Sequence, residues 1–264
     1  MNRASVGAVL LFHACSAAWA AAPNPRQVMA AVFGQANGHE SYMRAQFEAF
    51  DHDGHATKKV FTVRRMGLPG DRRTLVTFTG PEEIRGMTLL SIKHGGLAEE
   101  QYIYVPATQR VRSVAEQQRS ARFIGTDFSF EDVGDREVDD ATYDLLGDAE
   151  VVDGRRTFKI AATPVAAAHS QYRAIHYWVA QDAPVIVRAE MYDGEGRLLR
   201  ALHADEIRHV AGLWGARRLE MRTVPQGTRT VLTIFEARFD QHFDEHLFTP
   251  EGLAAAPGDA GAAR

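Results

Sequence analysis

The stretch VIVRAEMYDGEGRLLRALHADEIRHVAGLWGARRLEMRTV, residues 185–224, decides the fold class. Val185, Val187, Ala189 and Met191 alternate with Arg188 and Glu190, and Leu219, Met221 and Thr223 alternate with Arg218, Glu220 and Arg222. A period of two places apolar side chains on one strand face and charges on the other, as in a half-buried strand with one wet face. Asp193-Gly194 separates the first strand from the next. Asp-Gly favours the positive φ angles of tight hairpin turns, so neighbouring strands pair antiparallel.

The same punctuation extends in both directions. Asp53-Gly54, Pro69-Gly70, Asp153-Gly154 and Gln226-Gly227 separate further strand candidates. Upstream these are 41–50, 56–66, 73–79, 87–94 and 101–105; downstream they are 149–152, 156–162, 172–179, 185–192, 197–209, 213–224 and 228–239. A parallel sheet would need crossover helices, and the spacings leave little room for them. The expectation is a mostly β protein built on one meandering antiparallel sheet. One helix fits 24–35, with Asn24 as cap, Pro25 in the first turn, and Val28, Met29, Val32 and Phe33 at helical spacing. Two strands are apolar on both faces, one with Tyr172, Ile175, Tyr177, Trp178 and Val179 and one with Val231, Leu232, Ile234 and Phe235. Such strands need cover on both sides, from a helix, a second layer or an apolar ligand. Residues 109–144 break the strand rhythm and read as a long irregular stretch.

The chain has 264 residues, 45% of them apolar and 24% charged, with 30 Lys+Arg against 34 Asp+Glu and a formal charge of -4. This is ordinary soluble-domain composition, and it offers no basic footprint for nucleic acid. Residues 1–20 read as a secretory signal peptide: Arg3, a short apolar run from Val6 to Phe12, then Ala18-Trp19-Ala20. Residues 21–264 then form a single domain in the periplasm. Cys15, the one cysteine, allows no disulfide and raises the alternative of a lipid-modified site. His13 fits that alternative badly, so cleavage after about Ala20 is expected.

Catalytic and metal motifs are sparse. Asp51-His52-Asp53-Gly54-His55 offers metal-type donors, but a polar hairpin tip accounts for them. His242 and His246 lack the order of a metalloprotease helix. The acidic run Asp127, Glu131, Asp132, Asp135, Glu137, Asp139 and Asp140 lacks calcium-loop spacing. Arg110, Arg112, Arg119 and Arg122 could meet phosphate or pair with that acidic run. No nucleophile elbow, phosphate loop or dinucleotide fingerprint is present in the sequence. The expectation is no enzyme activity, no cofactor and no metal.

Three segments in order carry a family resemblance. Arg85-Gly86-Met87-Thr88-Leu89-Leu90 follows a Gly80-Pro81 turn. Tyr102-Ile103-Tyr104-Val105-Pro106-Ala107 then leads to Arg110-Val111-Arg112, and Phe123-Ile124-Gly125-Thr126-Asp127-Phe128-Ser129-Phe130-Glu131-Asp132 follows. This order resembles the outer-membrane lipoprotein-sorting protein family with a LolA-like domain, over roughly residues 60–250. Leu247-Phe248-Thr249-Pro250 with Leu253 resembles its closing segment. Thr126 and Phe130 stand where the family signature has Ser and Tyr.

The resemblance implies a strongly curved antiparallel sheet, an incomplete barrel, with a few helices covering its concave face. It implies a carrier or binder of lipid or lipid-modified protein, working between an inner-membrane exporter and an outer-membrane acceptor. A lipid-sensing or protein-interaction module on the same fold is the alternative. The ligand-facing residues expected from the strands are Phe61, Val63, Val76, Phe78, Leu89, Tyr102, Tyr104, Trp178, Met191, Met221 and Ile234. A one-residue register slip would invert each such assignment. Within the signature, Gly125, Thr126, Phe128 and Ser129 mark the motif. Asp127 is expected as a cap or turn acceptor worth about 1 kcal/mol, and Glu131 and Asp132 as partners of Arg110 and Arg112.

Overall fold

The computed structural model describes residues 23–35, 40–95, 97, 99–210 and 212–255. The expected signal peptide lies outside these. The first strands are β1 (Glu40–Phe50), β2 (Ala56–Leu68), β3 (Asp71–Gly80), β4 (Thr88–His94), β5 (Glu100–Val105) and β6 (Arg110–Ser113). After an intervening segment come β7 (Ala141–Gly147), β8 (Val151–Val152), β9 (Arg155–Pro164), β10 (Ala174–Ala180), β11 (Ile186–Tyr192), β12 (Leu198–Val210), β13 (Leu213–Thr223) and β14 (Thr228–Phe239). The helices are α1 (Pro25–Phe33) and α2 (Phe130–Val133).

All strands join one antiparallel sheet in the order β6-β5-β4-β3-β2-β1-β14-β13-β12-β11-β10-β9-β7, with β8 paired to β9. Two meanders therefore meet at the central β1–β14 pair. Strands about 4.8 Å apart would spread this order over roughly 60 Å if the sheet were flat. Yet one buried cluster unites Leu89 of β4, Phe61 of β2, Met221 of β13 and Ile160 of β9. The sheet must wrap around that cluster. It does not close: β6 and β7 are its two free ends, and residues 114–140 bridge them. The single, strongly curved, open antiparallel sheet expected above is the architecture observed.

α1 begins at Asn24, whose side chain accepts from the N–H groups of Arg26 and Gln27. Met29 is fully buried in the inner cluster, and the Phe33 ring meets Tyr177 edge-on with centroids 6.3 Å apart. Gln35 holds the end of this segment: its amide donates to the Pro184 carbonyl at 2.8 Å, and its Oε1 accepts from Trp214 N at 2.8 Å.

Two smaller clusters cover the outer face. Leu75, Leu90 and Ile92 lie beneath Phe248 and Leu253 of the closing segment. Trp178, Val185 and Val187 form the other. This explains why some strands are apolar on both faces: the inner side meets the core and the outer side meets the closing segment or a turn.

The stretch read as irregular, 109–144, contains two short strands, β6 and the start of β7. β6 is exposed throughout and lies at a sheet end, so it lacks the apolar alternation that marks the others.

Candidate functional site

The bridging segment positions the signature. Ile124 and Gly125 both adopt left-handed backbone, at φ 46° and 70°. A β-branched residue adopts that conformation only when its surroundings force it. Here Phe123 N donates to Phe128 O at 2.7 Å, and the fully buried Thr126 hydroxyl donates to Phe123 O at 2.7 Å. The tight loop drops both rings into the hollow. Phe123 packs on Phe78 at 5.7 Å and Phe128 on Phe47 at 5.3 Å.

Asp127, between them in the sequence, is fully buried. Its backbone N–H donates to Thr230 Oγ1 at 2.9 Å. Its carboxylate accepts from Thr223 at 2.7 Å, from Thr230 at 2.6 Å and from Thr228, with Arg122 at 3.4 Å. This corrects the expected role: Asp127 caps no helix, and instead clamps the bridging segment to the β13–β14 hairpin. Ser129 is the cap of α2, exchanging hydrogen bonds with Asp132.

The expected partners of Glu131 and Asp132 are also corrected. Arg110 and Arg112 sit exposed on β6, and among the described residues neither pairs with these acids. Glu131 accepts from Ser170 at 2.5 Å and from Gln171 N at 3.0 Å. Asp132 accepts from the Tyr172 hydroxyl at 2.8 Å and lies 3.3 Å from Arg136 and 3.5 Å from Arg200. Burial pushes the Tyr172 and Tyr177 phenols up, so both remain neutral.

Further along, the segment is pinned by buried charge. Asp135 lies 3.3 Å from Arg72 and 3.6 Å from Arg65, and accepts from Thr74 at 2.9 Å. Burial opposes its ionisation, but the two guanidiniums and the Thr74 hydroxyl outweigh burial and hold its carboxyl low. Glu99 accepts from Asp135 N at 2.9 Å and from Arg119 at 3.1 Å. Burial pushes Glu99 up to about 7 despite these partners. Lys93 reaches Asp140 at 3.0 Å.

Between the inner sheet face, Phe33 of α1 and the bridging segment lies a cavity of about 310 Å³. This is at the small end of ligand cavities, which run from about 300 to 1,000 Å³. Its walls include Phe47, Phe61, Val63, Val76, Met191 and Met221, with Arg65, Thr74, Asp132 and Arg136 supplying the polar part. Five residues named from the sequence, Phe61, Val63, Val76, Met191 and Met221, line it. Phe78 and Leu89 lie in the same cluster without lining the cavity, and Ile234 packs against that cluster from its edge.

Tyr102, Tyr104 and Trp178 belong to the outer face, contrary to expectation. The tyrosines pack beside Phe248 and Leu253, and Ile103 between them points inward. Trp178 lies between Lys159 and Arg188, with its indole N–H donating to Glu150 at 2.6 Å. Sequence reasoning missed Ala189, Leu219, Leu232 and Phe47 as lining residues. The period of two already contained the first three, two positions from Met191, Met221 and Ile234.

At the β1–β2 hairpin, Asp51 Oδ1 accepts from the N–H groups of Asp53 and His55, both at 2.9 Å. Donor atoms of Asp51, Asp53 and His55 lie within 4.8 Å of one another, all exposed. Those hydrogen bonds close the turn.

An open, wrapped antiparallel sheet around an apolar hollow, bridged by residues 114–140, is the LolA-like fold. The chain is similar to a DUF1329 family protein from Desulfovibrio piger, at 24% identity and TM-score 0.82 over 87% of this chain and 97% of that one. A putative outer membrane lipoprotein-sorting protein domain from Vibrio parahaemolyticus gives 22% identity and TM-score 0.79, over 87% and 95%. A LolA superfamily protein from Nitrosomonas europaea gives 17% and 0.67, over 86% and 98%. A family described as "Uncharacterized protein"-like matches residues 70–255, and the chain belongs to that family. No curated protein matches the sequence.

Proposed function

We propose that the protein is a periplasmic, non-enzymatic carrier or binder of lipid or lipoprotein acyl chains, moving them between an inner-membrane exporter and an outer-membrane acceptor. In this reading residues 1–20 are removed on export and residues 21–264 act as one domain. The observation that carries it is the apolar cavity on the inner sheet face, covered by α1 and the bridging segment. An acyl chain gains about 0.8 kcal/mol for each CH₂ it buries. Crossing water therefore requires an enclosed apolar space, and no bond need be made or broken. The solved lipoprotein-sorting domain of similar fold supports the reading by analogy.

Native mass spectrometry of the protein purified from a bacterial periplasm, followed by lipid extraction, tests it. About one bound lipid per chain is the expected result, and a protein that is empty and binds no fluorescent fatty acid refutes it. A cavity-filling substitution gives an independent check. Ala189 is fully buried and lines the cavity, so Ala189→Phe should weaken fatty-acid binding by about tenfold or more. Unchanged binding in a folded variant would show that the ligand lies elsewhere.

A further inference from the structure

The wall of the hollow has a slit. The β13–β14 ladder runs from Thr223↔Thr228 only as far as Arg218↔Thr233. Beyond it Leu213–Ala216 stay paired to β12, and Ile234 and Glu236–Phe239 stay paired to β1, so the two strands part. Irregularities flank the parting on both sides. The β1–β14 register shifts at Arg44/Ala45, where Phe235 is the extra residue. On β12, Glu206 sits at φ 51° and drops out of the register together with Arg217 opposite it. A non-glycine residue at positive φ within a strand needs a structural reason, and a bulge bends the strand that carries it. Both distortions lie at the level where the sheet divides.

The gap between the strands is a groove of about 310 Å³ lined by Val210, Leu213, Trp214, Ile234 and Phe235. Met43 lines both this groove and the inner cavity, so the two spaces share a wall residue. Val210 and Phe235 are exposed. Across the gap, the Arg217 Nε–H donates to the Ile234 carbonyl at 3.3 Å, a single side-chain bond where a ladder would otherwise run. The rim is basic on a chain whose formal charge is -4. Among the described residues, Arg44 and Arg238 pair with Glu236, and Arg208 and Arg217 pair with Glu206.

We infer that this parting is the lateral portal through which the hydrocarbon chain of an anionic amphiphile enters and leaves the hollow, its headgroup meeting the arginine rim. The inference rests on the carrier reading and adds the route. A chain passing sideways between strands keeps its methylenes against Phe235, Leu213 and Met43, and it must displace the Arg217 bond to Ile234 and pass the Gln35 side chain held at Trp214 N.

The test joins the two edges. Gly215 and Ala237 are exposed, line the groove on opposite strands, and a Cβ at Gly215 meets nothing within 4 Å. Gly215→Cys and Ala237→Cys, with Cys15→Ser, are bridged by a bis-maleimide containing a cleavable disulfide. Stopped-flow uptake of a fluorescent fatty acid is followed before and after reduction. The bridged form should take up the probe about tenfold more slowly or worse, with the parent rate restored on reduction of the same molecules. Equal rates in bridged and reduced protein overturn the portal while leaving the carrier reading in place. No uptake by the unbridged protein overturns the carrier reading and the portal with it.

Discussion

Replacing Asp127 tests what fastens the bridging segment to the sheet. Its carboxylate accepts from three threonine hydroxyls, Thr223 at the end of β13 and Thr228 and Thr230 on β14, and both it and Thr230 are fully buried. A hydrogen bond to a charged group contributes roughly 1.5–3 kcal/mol net, and stripping one partner from a buried charged network costs about 3–5 kcal/mol. The hydroxyls can turn toward other acceptors, which offsets part of the loss. The Arg122 pair adds little, because that side chain is 38% exposed and 3.4 Å away. Asp127→Ala should therefore destabilise by about 3–5 kcal/mol, several times the roughly 1 kcal/mol of a lost cap. Asp127→Asn keeps one acceptor oxygen and should cost less, about 1–2 kcal/mol. The assay is urea unfolding at neutral pH followed by circular dichroism, with stability taken from midpoint and slope. A loss for Asp127→Ala no larger than that of Arg122→Gln would refute the clamp. A loss for Asp127→Asn equal to that for Asp127→Ala would refute acceptance by the carboxylate as its cause.

Three further outcomes follow from the geometry. Burial pushes Glu99 up to about 7 in the folded protein, from the 4.5 of a glutamate in water. The folded state thus binds more protons between those values, so stability falls as pH rises from 4.5 to 7, by on the order of 3 kcal/mol, and then levels off. Glu99→Gln should flatten that slope in urea titrations across pH, and parallel curves for the two proteins would contradict it. Trp178 lies on the outer face between two cations, so Trp178→Phe should lower stability by about 1–2 kcal/mol through its lost indole hydrogen bond and weaker cation–π contacts. Fatty-acid affinity should not change, and a weakened affinity would return Trp178 to the ligand side. Arg110 and Arg112 are exposed on β6, so the double substitution to Gln should change the unfolding free energy by no more than about 0.5 kcal/mol, and a larger change would restore their pairing with the acidic run.

The fold was legible wherever one strand face is wet. Arg188, Glu190, Arg218 and Glu220 fix the phase of β11 and β13, and Met191 and Met221 therefore fall inside as expected. In β5 the run Tyr102-Ile103-Tyr104-Val105 contains no polar residue to set a phase, because the closing segment buries its outer side as the core buries its inner one. The sequence pattern therefore does not fix which face the tyrosines take, nor Trp178 in the doubly covered β10, and the structure puts all three outside. The acid partners fail differently. A run of arginines beside a run of carboxylates suggests pairing along the chain, but burial selects the pairs: Arg136 and Arg200 lie inside with Asp132, while Arg110 and Arg112 remain in water. A carboxylate taken from solvent needs a partner taken from solvent with it. Sequence shows which charges are near each other along the chain, whereas the wrapping of the sheet decides which of them lose water together. The clamp at Asp127 has the same origin. Thr223, Thr228 and Thr230 carry no charge and stand about a hundred residues from the signature, yet they supply the acceptor's donors because the β13–β14 hairpin is what lies beneath the bridging loop.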